Sequence, residues 1–118
     1  MANVLLLQFD TDDNCAERRV LVEDSGAKLI EDEPRWPTFF ESLRNARPDA
    51  VVISCGKLPS HGREAARYIN DGFNSRNIPV IITDVAAGDL AKTKAAAPKS
   101  TIVERSGLTK ALKAVIRL

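Results

Sequence analysis

Few residues in this sequence have the chemistry to do more than pack. Three carboxylates, Asp10, Asp12 and Asp13, follow the apolar run Val4-Leu5-Leu6-Leu7. Closely spaced carboxylates are the side chains that hold a hard divalent cation. They also cap a helix and complement its dipole, and that is the simpler reading. His61 is the single histidine, in Pro59-Ser60-His61-Gly62. With no second histidine or cysteine beside it, it offers no metal-ligand set, and an exposed position in a loop or at a helix start is expected. Cys15 and Cys55 form no Cys-x-x-Cys. Cysteine is among the most buried residue types, so packing is expected of both. Cys55 ends an apolar run, which leaves a redox or modification role as its alternative. Trp36, between Arg35 and Pro37, is either a binding anchor or cover for a sheet edge.

The elements that must position these residues alternate along the chain. Val4-Leu5-Leu6-Leu7, Ala50-Val51-Val52-Ile53, Val80-Ile81-Ile82 and Thr101-Ile102-Val103 are short runs, apolar on consecutive residues or nearly so. Strands buried on both faces read this way. A weaker strand is expected around Lys28-Leu29-Ile30-Glu31, after the turn signal Ser25-Gly26. Helices are predicted between them. Asp12 to Glu23 carries Cys15, Ala16, Val20 and Leu21 near helical spacing, with Asp12 or Asp13 available as N-cap. Pro37 to Ala46 groups Phe39, Phe40 and Leu43. Gly62 to Asn70 groups Ala65, Ala66 and Ile69, with Phe73 extending that face. Asp89 to Ala97 is alanine-rich and stopped by Pro98; Leu108 to Leu118 aligns Leu108, Ala111, Leu112, Val115 and Ile116 behind Ser106 as N-cap.

Five strand–helix units with apolar strands imply a parallel sheet covered on both faces. The expected fold is a three-layer α/β/α flavodoxin-like domain with five strands in the order 2-1-3-4-5, one domain over residues 1–118. The bulk properties agree. Of 118 residues, 44% are hydrophobic and 28% charged, which argues against disorder. A net charge of +1 leaves no electrostatic footprint for nucleic acid or an acidic membrane, and the apolar runs are too short to span a bilayer. Two free thiols without a secretory leader point to a cytoplasmic setting.

Three stretches resemble the receiver domain of two-component response regulators, the CheY-like superfamily. Pro48-Asp49-Ala50-Val51-Val52-Ile53-Ser54 followed by Leu58-Pro59-Ser60-His61-Gly62 is similar to the family's PDLVLLD…MPxxDG segment. Ile78-Pro79-Val80-Ile81-Ile82-Thr83 is similar to its fourth strand, and the order of the five units matches throughout. The resemblance implies a phosphoacceptor aspartate, a pair of metal-holding acids, a switch hydroxyl and a lysine. This sequence departs from each. The acceptor position, eight residues before Gly62, is Ser54, and Pro59 falls five residues after it where the family has four. The acid pair falls at Gln8-Phe9, with Asp10, Asp12 and Asp13 slightly late. The switch position is Asp84, with Thr83 one place early, and the lysine falls on or next to Arg105. An acid facing a phosphate site repels it, and serine is a weak nucleophile without a base.

The resemblance therefore implies a degenerate receiver, a pseudo-receiver. It would be a non-catalytic signalling domain with no cofactor, acting on a protein partner or a second copy of itself. Ser54, Cys55, His61, Asp84 and Arg105 would form its vestigial pocket, a place where a small anion or metabolite could still sit. Two alternatives use Asp10 and Asp12. One is a true phosphoreceiver with shifted acids. The other follows from Phe9-Asp10-Thr11-Asp12, which looks like the DxD motif of haloacid-dehalogenase-type phosphotransferases, in which the first aspartate is the nucleophile and the second the acid/base.

Overall fold

The computed structural model of the chain describes residues 2–8, 14–31, 41, 43–45, 47–55 and 59–116. Strands β1 (Asn3–Gln8), β2 (Lys28–Glu31), β3 (Ala50–Ser54), β4 (Val80–Thr83) and β5 (Thr101–Val103) alternate with helices α1 (Cys15–Glu23), α2 (Pro59–Asp71), α3 (Leu90–Ala96) and α4 (Leu108–Val115). Residues 41 and 43–45, between β2 and β3, are also helical. The sheet is parallel in all four pairings, in the order β2-β1-β3-β4-β5. This is the expected flavodoxin-like arrangement.

The apolar runs are strands because both of their faces are covered. Successive side chains of a strand point to opposite faces. Leu5, Leu7, Val51, Ile53 and Ile82 share one core with Leu43 and with Ala65, Ala66 and Ile69 of α2. Val4, Leu6, Val52 and Ile81 share the other with Val22 of α1 and with Leu108 and Leu112 of α4. All five residues of β3 are buried. Asp49, the residue before β3, fixes where that strand joins β1: its carboxylate Oδ2 accepts from the Asn3 N–H at 2.8 Å, and its own N–H donates to the Asn3 carbonyl at 2.8 Å.

Several boundaries differ from the expectations. α2 begins at Pro59, three residues before Gly62, because proline suits the first turn of a helix, where its missing N–H has no partner to lose. It ends at Asp71, so Phe73 lies beyond the helix in a turn and is 82% exposed rather than extending the apolar face. In α1 the inward face is Arg18 and Val22, four apart, while Val20 is 55% exposed. Ser106 is not the cap of α4: a 3-10 turn over Arg105–Gly107 leads in, and Gly107 takes the cap position. α4 stops at Val115, and Ile116 turns extended (φ −94°, ψ 138°) while staying buried. Trp36, Phe39 and Phe40, and the proposed caps Asp12 and Asp13, lie outside the described residues. Among the described residues no helix is long and apolar enough to cross a membrane.

Candidate functional site

Because the sheet is parallel, β1, β3 and β4 end on the same edge. Gln8, Ser54 and Thr83 are in register there, side by side. In open α/β sheets this carboxyl edge is where ligands bind. Ser54 and Thr83 are buried, and the Cys55 N–H donates to the Thr83 carbonyl at 3.2 Å, prolonging the pairing by one residue. Asp84 follows with φ of 60°, in the left-handed region that non-glycine residues adopt at a cost of about 1–2 kcal/mol.

A side chain from α1 accounts for that geometry. Arg18 is 1% exposed. Its Nε donates to Asp84 Oδ2 at 2.7 Å and its Nη1 to Gln8 Oε1 at 2.9 Å. It thereby ties α1 to the ends of β1 and β4. Arg105 approaches the other oxygen of the same carboxylate, Nη1 to Oδ1 at 3.6 Å, and its Nε lies 3.5 Å from Glu17 of α1. Asp84 thus faces two guanidinium groups, one on each oxygen.

Beside this cluster, α2 comes close to the sheet edge at Gly62. A Cβ there would meet Cys55 Sγ at 2.8 Å, and Cys55 Cα and Ile53 Cγ2 at 3.4 Å. Arg63, the next residue, lies 3.9 Å from Asp89. Its Nη1 and the Thr83 Oγ1 are buried with no hydrogen-bond partner among the described residues. Burial pushes the Cys55 thiol up from its ordinary 9.0 to about 11; Arg63 opposes that, and the nearby carboxylates Asp89 and Asp84 add to it. Cys55 is therefore a packed thiol, not an activated one. The consequence for stability has a definite sign. Below pH 9.0 the thiol is protonated in both states. Between 9.0 and about 11 it ionises only in the unfolded chain. Stability attributable to Cys55 should therefore fall there, by roughly 1.4 kcal/mol per pH unit. Urea unfolding of the wild type against Cys55→Ala across this range checks it: the advantage of the wild type should shrink as pH rises and reverse before pH reaches about 11.

Of the five residues expected to form a pocket, Ser54, Cys55, Asp84 and Arg105 cluster at this edge. Arg105 and Asp84 pair directly. His61 is exposed in the first turn of α2, one residue before Gly62, and is the least enclosed of the five. Asp10 and Asp12 lie outside the described residues. Arg18 is the participant that sequence reasoning missed. Its signal was positional: it falls four residues before the buried Val22, where helical spacing calls for an inward side chain. A groove of about 600 Å³ opens next to the cluster, between β5 and α3, with Asp84, Arg105, Leu90 and Ile102 in its wall.

Among the described residues, this edge does not assemble a magnesium site. Magnesium takes oxygen ligands, carboxylates above all. Among the described residues no group of three or more metal-binding side chains exists. Among the described residues, the ends of β1, β3 and β4 present the neutral side chains Gln8, Ser54 and Thr83, and the Asp84 carboxylate is paired with Arg18 and Arg105.

This is an α/β domain of flavodoxin-like topology with its candidate site at the carboxyl edge of the sheet. Its fold is that of response-regulator receiver domains. The receiver domain of the sensor histidine kinase PA1611 from Pseudomonas aeruginosa PAO1, solved with a magnesium ion coordinated in its active-site cleft, is similar at 21% identity over 97% of this chain and 96% of that one, with a TM-score of 0.75. The signal receiver domain of a modulated diguanylate cyclase from Desulfovibrio desulfuricans G20 is 19% identical over 98% and 94%, with a TM-score of 0.68. The N-terminal domain of a response regulator receiver protein from Methanoculleus marisnigri JR1 is 17% identical over 100% and 98%, with a TM-score of 0.61. No protein-family model and no curated protein matches the sequence.

Proposed function

We propose that this chain is a single receiver-like signalling domain, working in the cytoplasm, that acts by binding a protein partner and has no aspartyl phosphotransfer. Arg18 is the observation that carries this reading. A buried guanidinium sits at the carboxyl edge, bonded to Asp84 and Gln8. A divalent cation within about 5 Å of it would meet a repulsion of roughly 7 kcal/mol at an effective dielectric of about 20. Ser54 stands at the acceptor position, and the described contacts give it no base. Asp84 has its negative charge matched from within by Arg18 and Arg105, so the edge holds one internal ionic arrangement in place of a metal and a phosphate.

The Pseudomonas aeruginosa domain shares the fold and was solved with a magnesium ion in its active-site cleft, so it is the domain to compare in the same assay. The pocket residues Ser54, Cys55, Asp84 and Arg105 then serve to hold the ends of β3, β4 and β5 together, with His61 outside on α2. The groove between β5 and α3 supplies the surface next to them on which a protein partner or a second copy would dock. Incubation with acetyl phosphate and magnesium tests the reading by intact mass. The expected result is no phosphoryl adduct on wild type or on Ser54→Ala. An acid-stable adduct that Ser54→Ala removes, or an acyl phosphate removed by Asp10→Asn, would overturn it.

A further inference from the structure

The opposite, amino edge of the sheet carries a second surface. The last turn of α2, the turn that follows it and the helical residues 43–45 border a groove of about 1020 Å³. Its wall includes Arg44, Arg47, Tyr68, Phe73 and Ile78, with Glu41 as an acidic member. Phe73 is 82% exposed and Tyr68 48%. The Arg76 guanidinium lies 5.4 Å from the centre of the Phe73 ring, close enough for a cation–π contact that steadies the ring in its exposed position. Aromatic side chains and arginine are the residues that dominate protein interfaces.

Arg47 adds an independent observation. Its φ is 45°, and its N–H donates to the Leu43 carbonyl at 3.2 Å. That is the left-handed residue closing a helix, a position where glycine is usual because a Cβ is penalised there. The chain carries an arginine instead, with its side chain on the groove. The described wall carries Arg44 and Arg47 against Glu41, and Arg76 stands over Phe73 beside it. The surface is therefore locally basic around an aromatic centre.

We propose that this groove receives an acidic segment of a partner protein that carries an aromatic or branched apolar anchor. The anchor lies against Tyr68, Phe73 and Ile78, and the acids pair with the arginines of the rim. This surface is at the other edge of the sheet from the ionic cluster, so it stands whether or not phosphotransfer is absent.

The test is a fluorescence-anisotropy titration of the full chain with a short labelled peptide of aspartate and glutamate around one tryptophan and one leucine. The control is the same peptide with lysine in place of every acid. The acidic peptide should bind saturably and weaken as salt rises, and the basic one should not bind. Arg44→Glu should weaken binding by about tenfold, and Phe73→Ala by a similar factor while leaving the melting temperature unchanged. Arg47→Gly separates function from fold: it should raise the melting temperature by a few degrees and still weaken binding by about fivefold. Equal binding of the two peptides, no saturable binding, or unchanged affinity in Arg47→Gly would overturn the proposal. So would a concentration-dependent dimer that Phe73→Ala abolishes, which would make a second copy the occupant.

Discussion

Arg18→Ala should destabilise the domain by about 3–5 kcal/mol, the cost of breaking a buried ion pair from one side. The substitution leaves Asp84 facing Arg105 at 3.6 Å without its 2.7 Å partner, and it removes the bond to Gln8. It also opens a cavity, because Arg18 is among the largest fully buried side chains of the described core. A single domain has about 5–15 kcal/mol in total, so this one change threatens the fold. Two comparisons keep the prediction specific. Arg19, next in sequence, pairs with Glu31 in an exposed setting, and Arg19→Ala should cost less than about 1 kcal/mol. The double variant Arg18→Met with Asp84→Gly replaces the pair with an apolar filler and gives the φ of 60° to the residue that accepts it. It should recover most of the loss. Urea unfolding reads all of these. A cost for Arg18→Ala no greater than that of Arg19→Ala would remove the buried pair from the account.

The second large effect is at the contact between α2 and β3. Gly62→Ala gains helix propensity of about 1 kcal/mol, yet its Cβ would sit 2.8 Å from Cys55 Sγ. Neither side has room to move far, since Cys55 and Gly62 are both buried. A net loss of about 1–3 kcal/mol is expected, the usual cost of overpacking. Cys55→Ala alone removes a buried sulfur and should cost about 1 kcal/mol. Combined, the two should be far from additive, with the double variant more stable than Gly62→Ala alone by about 1 kcal/mol. Recovery should be incomplete, because the Cys55 Cα and Ile53 Cγ2 contacts at 3.4 Å remain. Strict additivity would show that the helix shifts freely and that the edge is not rigidly packed.

Much of the fold could be read from the residues. Val4 to Leu7, Ala50 to Ile53 and Val80 to Ile82 are short and apolar without alternation, the pattern of strands covered on both faces. Their number and spacing lead to the observed order, and α2 and α4 follow from Ala65, Ala66 and Ile69 and from Leu108 and Leu112. Cys55 packs, as its residue type suggests. The face of α1 was not legible, and the reason is physical. Periodicity is read from apolar residues, and the inward position four before Val22 is filled by a charge. The charge is tolerated because Gln8 and Asp84 lie 10 and 66 residues away in sequence and meet it only in the folded chain. The same long-range closure explains why Asp84, expected as an acid at the switch position of a vestigial pocket, is the counter-ion of Arg18. Phe73 misled in the opposite sense, since an aromatic in step with a helix face belongs here to the turn beyond the helix.

Magnesium and beryllofluoride titration followed by amide NMR tests the central claim most directly, with the wild type beside Asp10→Asn and Ser54→Ala. No saturable shift is expected at Gln8, Ser54, Thr83 or Asp84 with either addition, and no difference among the three proteins. Saturable shifts at these residues that vanish in Asp10→Asn would contradict it: the edge would then bind the metal and the phosphoryl mimic despite Arg18, and the chain would be a working phosphoreceiver.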